Sequence, residues 1–444
     1  MSHTISLNTL LTERAVQDNI VREIEVTDTT ITITLIPKLN ISYERPDCQE
    51  PVFVRSHDTE TLLVQGLGIH GKALRYCVTS IRASYFNDAG AFRTFMIPIP
   101  GIRTNLLVTD EVIDTMLYLH VDCNHSLAMT ATMLQDLYGV TTSVSALERW
   151  KNAEADSLPS IGTLIQHLNR KKPIHVLHLD EYKATGTKNW ELAIRDEHNR
   201  LLFSIRLKQR DAWHIQAILR WFRILGLDIT LIYVDFWPAY PPALKAIYPK
   251  AEIQYDFFHV IQNIHRHLYK ALTVYRKAFK AATSEPEQAA VRQALHTKLW
   301  RHRYVLFTNE ENLTDKQRTL LNELVTEHAG TIVEQIVEFR HQLRTIFNAC
   351  DTFAEAVEYL SVMLLDGWAE VSPQFGKVMT FLRDHFEHML TYLRKPRVQR
   401  NSLPECTVRS LRRIEHVRQG FKKQKGRVRH LKLLQWRKYV CPVG

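Results

Sequence analysis

One segment in the middle of the chain, residues 174–255, constrains the fold most, because apolar runs of strand length alternate there with helical patterns. We predict strands at residues 174–180, 190–195, 201–207, 229–235 and 251–255, and a helix at residues 211–225 that is closed by Gly226. Because the order is strand, strand, strand, helix, strand, helix, strand, the sequence predicts an α/β domain with a mixed sheet.

Two of these predicted strands each end in a lone aspartate, Asp180 and Asp235. The carboxyl ends of strands converge on the functional site of α/β sheets. Carboxylate oxygens are suited to hard divalent cations, and two such cations about 3.5–4 Å apart can clamp both the attacking and the leaving oxygen of a phosphodiester. The pattern therefore predicts metal-dependent phosphoryl transfer, although a single aspartate at a strand end is more often a turn residue.

A third carboxylate has to complete such a site, and the best candidate is Glu405. It follows Asn401, Ser402 and Pro404, a sequence that is typical of the first turn of a helix. Taken alone, Glu405 is equally a first-turn acid favoured by the helix dipole. Glu415 is the rival, but ten residues further along a helix it would point about 80° away and lie about 15 Å along the axis, so the two cannot serve one metal pair.

Positive charge is concentrated near the C-terminus. The chain has a formal net charge of +10, and residues 394–438 contain sixteen Lys and Arg but two acids. Such a block commonly binds a polyanion, although a solvated basic tail is the alternative. Apolar residues interrupt it and predict that the segment is folded; they are Leu411, Ile414, Val417, Phe421, Leu431, Leu434 and Trp436.

The first part of the chain changes from β-rich to helical. Residues 20–100 are predicted to be β-rich, since residues 29–35 alternate β-branched and apolar side chains. From residue 108 the pattern is helical, and a helix at residues 126–138, Gly139 and a further helix from near Thr141 to Trp150 have the spacing of a helix-turn-helix. An ordinary helical hairpin is the alternative. Residues 257–392 are predicted to be nearly all helical.

Several protein classes are disfavoured by the composition. No run approaches the roughly 18 apolar residues that span a membrane, and residues 1–13 lack the apolar core of a secretion signal. The six cysteines are scattered without any C-x-x-C pair, which predicts reduced thiols in a cytoplasm and no zinc site.

The motifs together resemble a known family. They are Leu-Asp180-Glu-Tyr, Val-Asp235-Phe-Trp-Pro-Ala-Tyr, Asp256-Phe-Phe-His259 and Asn401-x-x-x-Glu405. In this order they resemble the DDE transposases of bacterial insertion sequences, in particular the ISL3-like group. The resemblance implies an α/β RNase H-like catalytic core interrupted by an all-α insertion and preceded by a β-rich N-terminal region and a helix-turn-helix.

The resemblance also implies roles for individual residues. Asp180, Asp235 and Glu405 would be the catalytic residues and the ligands of two Mg²⁺ ions, with Mn²⁺ as a substitute, and Asp256 and His259 would lie near the site. Relatives often begin with a zinc ribbon, but this region keeps only Cys48 and Cys77, with His57 and His70, so no zinc is predicted. The residues predicted to bind DNA are the cations Arg409, Arg412, Arg413, Arg418, Lys422, Lys423, Arg427 and Arg429.

The predicted domains are a β-rich DNA-end-binding region (residues 1–105), a helix-turn-helix domain (106–168), the first part of the catalytic core (169–262), a helical insertion (263–392) and the second part of the core with the basic C-terminus (393–444). The expected function is strand cleavage and strand transfer at the ends of an insertion sequence. The protein is expected to act as a homodimer or larger assembly on double-stranded DNA, namely the terminal inverted repeats and the target DNA. Its expected location is the prokaryotic cytoplasm, at the nucleoid. The alternatives are a transposase-derived DNA-binding protein without catalysis and another RNase H-like nuclease.

Overall fold

The computed structural model describes residues 14–38, 42–44, 51–53, 57–69, 71–183, 189–209, 211–281, 286–395, 405–417 and 424–441. The chain forms two compact units. The N-terminal unit comprises Met1–Leu164 together with Leu411–Gly444, and the central unit comprises Ile165–Ser410. The basic C-terminal segment from Leu411 onwards belongs to the N-terminal unit.

The N-terminal unit opens with a short helix, α1 (Arg14–Gln17), and is then rich in strands, as predicted. The strands are β1 (Asn19–Val26), β2 (Thr30–Pro37), β3 (Ser42–Glu44), β4 (Pro51–Phe53), β5 (His57–Ile69), β6 (Lys72–Phe86), β7 (Phe92–Met96), β8 (Ile102–Arg103) and β9 (Val108–Thr109). The main sheet has the order β1-β2-β6-β5-β9-β8, with β7 also paired to β6, while β3 and β4 pair with each other.

Strand β2 confirms the alternation that the sequence predicts. Ile31, Ile33 and Leu35 are fully buried, whereas the threonines between them are half-buried. Successive side chains of a strand point to opposite faces, so three apolar residues at every second position build one wall of a core. That core also includes Val64 and Tyr76 from the neighbouring strands.

Three helices follow, and their ends are set by local capping. Helix α2 (Asp110–Leu117) begins after Thr109 and continues into a π-helical turn, Tyr118–Asp122. Helix α3 (Leu127–Tyr138) is capped by Ser126, whose hydroxyl accepts from the backbone N–H of Met129. It ends at Gly139, whose φ of +63° is the left-handed conformation that favours glycine. Helix α4 (Val144–Ser157) begins after Ser143, slightly later than the predicted start near Thr141.

The central unit contains the predicted α/β domain. Its strands are β10 (Val176–Lys183), β11 (Trp190–Asp196), β12 (Leu201–Leu207), β13 (Leu231–Val234) and β14 (Glu252–Tyr255). Their order in the sheet is β12-β11-β10-β13-β14; β10, β11 and β12 pair antiparallel, and β10, β13 and β14 pair parallel. All five predicted strands and the mixed character of the sheet are therefore confirmed.

The remaining helices of the central unit confirm the long helical prediction. They are α5 (Ile161–Lys171, where the two units divide), α6 (Ala212–Ile224), α7 (Tyr240–Ile247), α8 (Phe257–Ala281), α9 (Pro286–His302), α10 (Asp315–Glu327), α11 (Ile332–Arg344), α12 (Phe353–Leu365), α13 (Trp368–Val371), α14 (Pro373–Met389) and α15 (Thr391–Arg394). Two short 3₁₀ segments (Arg303–Phe307, Glu310–Asn312) and a π-helical turn (Thr345–Ala349) connect them.

Two further helices, α16 (Glu405–Val417) and α17 (Gln424–Tyr439), end the chain. Helix α17 packs on α4, and its Leu433 joins the core formed by Leu134, Leu147 and Trp150. Ion pairs flank this contact: Arg429 binds Asp156 and Arg437 binds Asp122. The described residues of the C-terminal segment form two helices, and Leu433 of α17 completes the core beneath α3 and α4.

Two general expectations can be compared with the described residues. Among these residues, no helix has both the length and the apolar character needed to cross a membrane. Cys77, Cys123, Cys350 and Cys441 are free thiols, as their scattered positions predict.

Candidate active site

The registers of the parallel strands bring three aspartates to one level of the central sheet. His178 of β10 lies opposite Tyr233 of β13, and Val234 lies opposite Tyr255 of β14. When these registers are continued, Asp180, Asp235 and Asp256 fall side by side at the carboxyl ends of the parallel strands. Neighbouring strands are about 4.8 Å apart, so adjacent aspartates are one strand spacing apart. We call these three residues the aspartate row.

Asp180 does not end its strand, and this corrects the sequence prediction. Strand β10 continues to Lys183 because its antiparallel pairing with β11 continues to Trp190, and Asp180 lies opposite Ala193 within that ladder. Only the parallel pairing with β13 stops before Asp180. Asp235, in contrast, directly follows the last residue of β13, as predicted. The antiparallel ladder with β11 therefore continues past Asp180, whereas the parallel ladder with β13 does not reach it.

The carboxyl group of Asp180 is difficult to ionise. Burial raises its pKa to about 6 and the nearby Asp256 and Asp235 contribute to this rise, while His259 on the first turn of α8 and the backbone N–H of Glu181 act in the opposite direction. These four influences also locate the group, because charges act strongly on a pKa only at short range. Asp235, Asp256 and His259 therefore lie near enough to Asp180 for their charges to influence its ionisation.

The other two aspartates are oriented by their own backbone. The Asp235 carboxylate accepts a hydrogen bond from the N–H of Trp237 at 3.2 Å, and that of Asp256 accepts one from the N–H of Phe258 at 2.9 Å. Such contacts two residues ahead are Asx turns. In Asp256 the contact also places the carboxylate at the start of α8, where the helix dipole favours negative charge.

A layer of uncharged side chains lies one step below the aspartate row. His178 stacks on Tyr233 with ring centroids 4.4 Å apart, and burial lowers the pKa of His178 to about 4, so the imidazole is neutral. Beside them Gln254 is fully buried and donates to the carbonyl of Met389. The charge of the buried Arg195, the register partner of His178 on β11, contributes to the lowered pKa of His178.

Tyr255 bounds the row on the β14 side. Burial, and then the negative charge of Asp235, raise the pKa of its hydroxyl above the ordinary value. The ring packs edge-on against His385 and His388 of α14. Tyr255 therefore stays protonated at neutral pH.

The third predicted ligand, Glu405, is the first residue of α16, as the capping pattern predicts, but its side chain lies outside the described residues. Within the described part of the chain, no three His, Cys, Asp or Glu side chains converge closely enough to hold a metal ion. The rival Glu415 is 2% exposed and pairs with the buried Arg427 at 3.9 Å. Glu415 is therefore committed to the interior of the N-terminal unit.

The predicted DNA-binding cations have different environments. Arg409, Arg412 and Arg413 are exposed and lie at helical spacing on one face of α16, opposite the buried Leu411 and Ile414. The position of Arg427 corrects the prediction for that residue, because it is 1% exposed and its guanidinium faces Glu415 instead of solvent. Arg429 is engaged by Asp156. Arg418, Lys422 and Lys423 lie outside the described residues.

The strand pattern alone could have identified Asp256 as a candidate site residue. It directly follows a predicted strand, just as Asp235 does, yet only the family resemblance singled it out. What could not be read from the sequence is the register that sets Asp256 level with Asp180 and Asp235, because pairing between strands is non-local.

Comparisons with known proteins identify the family. The sequence profile of the ISL3-like DDE transposases, described as a transposase family, matches residues 177–426, which is more than half of the chain. No curated protein matches. Among solved structures, the Drosophila P element transposase strand transfer complex is similar, with 11% identity, a TM-score of 0.40, and coverage of 73% of this chain and 91% of that chain. On the strength of the profile match, the chain belongs to the ISL3-like family of DDE transposases.

Proposed function

We propose that the protein cleaves DNA strands at the ends of an insertion sequence and joins them to target DNA in a metal-dependent reaction. The observation that carries the proposal is the aspartate row, where carboxylates from three parallel strands share one level. The order of the sheet, with three antiparallel strands followed by two parallel ones, supports an RNase H-like core. Family membership supports the same chemistry.

The residues at the row fit a divalent cation. Their donors are oxygens, which Mg²⁺ prefers, and the raised pKa of Asp180 means that a positive charge nearby would stabilise its ionised form. Asp180 and Asp235 would hold two Mg²⁺ ions with Glu405 as the third ligand. When bound, such ions activate the attacking oxygen and neutralise the leaving oxygen of a phosphodiester.

The protein's own groups prepare the site for this chemistry. Asp180 would release its proton as the site is loaded, and His178 and Tyr233 would form an uncharged contact below the carboxylates. His259, at the start of α8, lowers the pKa of Asp180 and so favours its ionised form. No serine or tyrosine is proposed as a nucleophile, so we propose direct transfer without a covalent protein–DNA intermediate.

DNA binding is proposed for two surfaces of the N-terminal unit and its adjoining helix. Helices α3 and α4 have the arrangement of a helix-turn-helix, and α4 exposes Ser145 and Arg149. Arg409, Arg412 and Arg413 on α16 offer cations to phosphates. We propose that the first surface recognises the terminal repeats and the second holds the DNA backbone, in a homodimer or larger assembly.

The test is cleavage of DNA that carries the element's own ends, with Mg²⁺, comparing the wild type with Asp235→Asn. The matched control is Asp228→Asn, because Asp228 is an exposed aspartate before the opposite end of β13. We expect cleavage that requires Mg²⁺, that is lost in Asp235→Asn by at least a hundredfold, as is typical when a group that stabilises the transition state is removed, and that persists in the control.

The alternatives give different results in the same assay. If the wild type binds the element ends without cleaving them, the protein is a DNA-binding protein in which the aspartate row no longer catalyses a reaction. Cleavage without strand transfer from a pre-cut end would indicate a nuclease. Equal activity of wild type and Asp235→Asn would refute the assignment of the row.

A further inference from the structure

A cavity of about 720 Å³ opens along α8 in the central unit. Its lining combines aromatic rings with cations and an amide; these are Phe236, Tyr269, Phe307, Gln262, Arg266 and Lys270. Its size falls in the range of about 300–1,000 Å³ that is usual for small-molecule and cofactor sites. The predicted catalytic residues do not account for it.

The cavity is linked to the row by the chain itself. Phe236 directly follows Asp235, and α8 begins directly after Asp256. Along α8, His259, Gln262, Arg266 and Lys270 recur at intervals of three or four and therefore share one face. At 1.5 Å per residue, Arg266 lies about 10 Å and Lys270 about 16 Å beyond His259. A polar stripe thus runs from the row into the cavity.

The aromatic walls of the cavity are held in place by contacts with neighbouring side chains. Phe307 packs edge-on against His265 at 5.4 Å, and Phe236 packs against Phe381 at 5.1 Å. The Tyr269 hydroxyl accepts a hydrogen bond from Arg303 at 2.7 Å. Rings fixed in this way present their surfaces without a further loss of side-chain freedom when a ligand binds.

The cations Arg266 and Lys270 lie where the backbone of a negatively charged strand could pass. Arg266 and Lys270 are exposed at the edge of the cavity, and Arg266 is oriented by a hydrogen bond to Asn263. Burial lowers the pKa of His265 to about 4, so the wall beside Phe307 is uncharged. Among the residues that line the cavity, the cations Arg266 and Lys270 lie at the rim, and the interior offers ring surfaces.

We propose that this cavity receives one unpaired nucleotide of the DNA strand whose phosphodiester lies at the aspartate row. The base stacks on Tyr269 and Phe307, and Arg266 and Lys270 bind the phosphates that lead to it. Aromatic platforms flanked by cations are the composition of sites for single-stranded nucleic acid. The inference rests on the proposed function, since it requires DNA at the row.

The first experiment locates the contact. A single-stranded oligothymidine that carries one 5-iododeoxyuridine is bound to the full-length protein, irradiated, and the cross-linked peptides are identified by mass spectrometry. We expect cross-links at Tyr269, Phe307 or Phe236, and fewer with the same base in a duplex. Cross-links confined to other parts of the protein would overturn the proposal.

The second experiment measures the energetic contribution of the ring. Stacking of a base on an aromatic residue predicts that Phe307→Ala weakens binding of the oligothymidine by about 5- to 150-fold, and that Phe307→Tyr restores it. Removing the base at the cross-linked position should weaken binding of the oligothymidine to the wild type about as much as Phe307→Ala does. The same removal should weaken binding to Phe307→Ala little further. Additive losses would show that ring and base do not meet.

Controls separate this inference from the proposed function. Lys277→Ala removes an exposed cation on the same helix outside the cavity and is expected to bind like the wild type, whereas Lys270→Ala is expected to bind more weakly. Mg²⁺-dependent cleavage of element ends without cross-links in the cavity would reject the cavity and keep the transposase function. Cross-links in the cavity without cleavage would keep the cavity proposal and reject the transposase function.

Discussion

Asp180 lies where an ionised carboxylate is costly, and Asp180→Asn replaces it with a side chain of nearly the same shape that carries no charge. The ordinary pKa of the group is 3.8 and burial raises it to about 6 in the folded protein. Because one pKa unit corresponds to about 1.4 kcal/mol, ionised Asp180 destabilises the metal-free protein by about 3 kcal/mol. We treat this value as an upper bound for the gain in the variant.

The pH dependence follows from the sign of this pKa change. Below pH 3.8 Asp180 is protonated in both the folded and the unfolded state and does not lower the free energy of unfolding. As the pH rises from about 4 to about 6, the unfolded chain releases its proton more readily than the folded protein, so the wild type loses stability. Above pH 6 the loss is complete, and the advantage of Asp180→Asn should reach a plateau of up to about 3 kcal/mol.

The assay is urea unfolding in EDTA, followed by tryptophan fluorescence, of the wild type, Asp180→Asn and the exposed control Asp228→Asn. Both aspartate variants should resemble the wild type near pH 4, and only Asp180→Asn should be more stable at pH 8. Adding Mg²⁺ at pH 8 should stabilise the wild type more than Asp180→Asn, because a ligand of the folded state stabilises it by mass action. An equal difference at both pH values, or a less stable variant at pH 8, would refute the argument from burial.

Two further predictions concern the N-terminal unit. Arg427→Met should destabilise it by about 3–5 kcal/mol in thermal unfolding, because Glu415 is left buried without its partner, and adding Glu415→Leu should restore most of the loss. If the double variant is no more stable than the single one, the pair is not the cause. Gly68→Ala should destabilise the N-terminal unit by about 1–3 kcal/mol, since the new Cβ would lie 2.4 Å from the carbonyl oxygen of Tyr138. Gly426→Ala should instead stabilise α17 by about 0.5–1 kcal/mol, because its Cβ meets nothing within 4 Å. Equal melting temperatures of the two glycine variants would contradict this contrast.

Local structure could be predicted from the sequence because its causes are local. The strand Leu201–Leu207 was predicted with its observed ends, and Ser126 and Gly139 bound α3 where their side-chain chemistry and backbone freedom require. Apolar periodicity and capping residues act over a few positions, so a single sequence contains the information.

The errors arose where distant segments meet. Asp180 was predicted to end its strand because the apolar run stops there, but pairing with β11 extends the strand to Lys183. Arg427 was predicted to bind phosphate because its neighbours in sequence are basic, but its neighbour in space is Glu415. Charge density along the chain cannot distinguish a cation on the surface from one that faces a buried acid.

The composition of the N-terminal unit has a consequence for the order in which the protein can fold during synthesis. Leu433 of α17 belongs to the same core as Leu147 and Trp150 of α4. At about 5–20 residues per second, the ribosome needs about 10–50 s to add the intervening residues of the central unit. During that time the apolar surface of α4 that α17 later covers is open to solvent, so the unit proposed to recognise DNA reaches its final form only after the central unit has been synthesised.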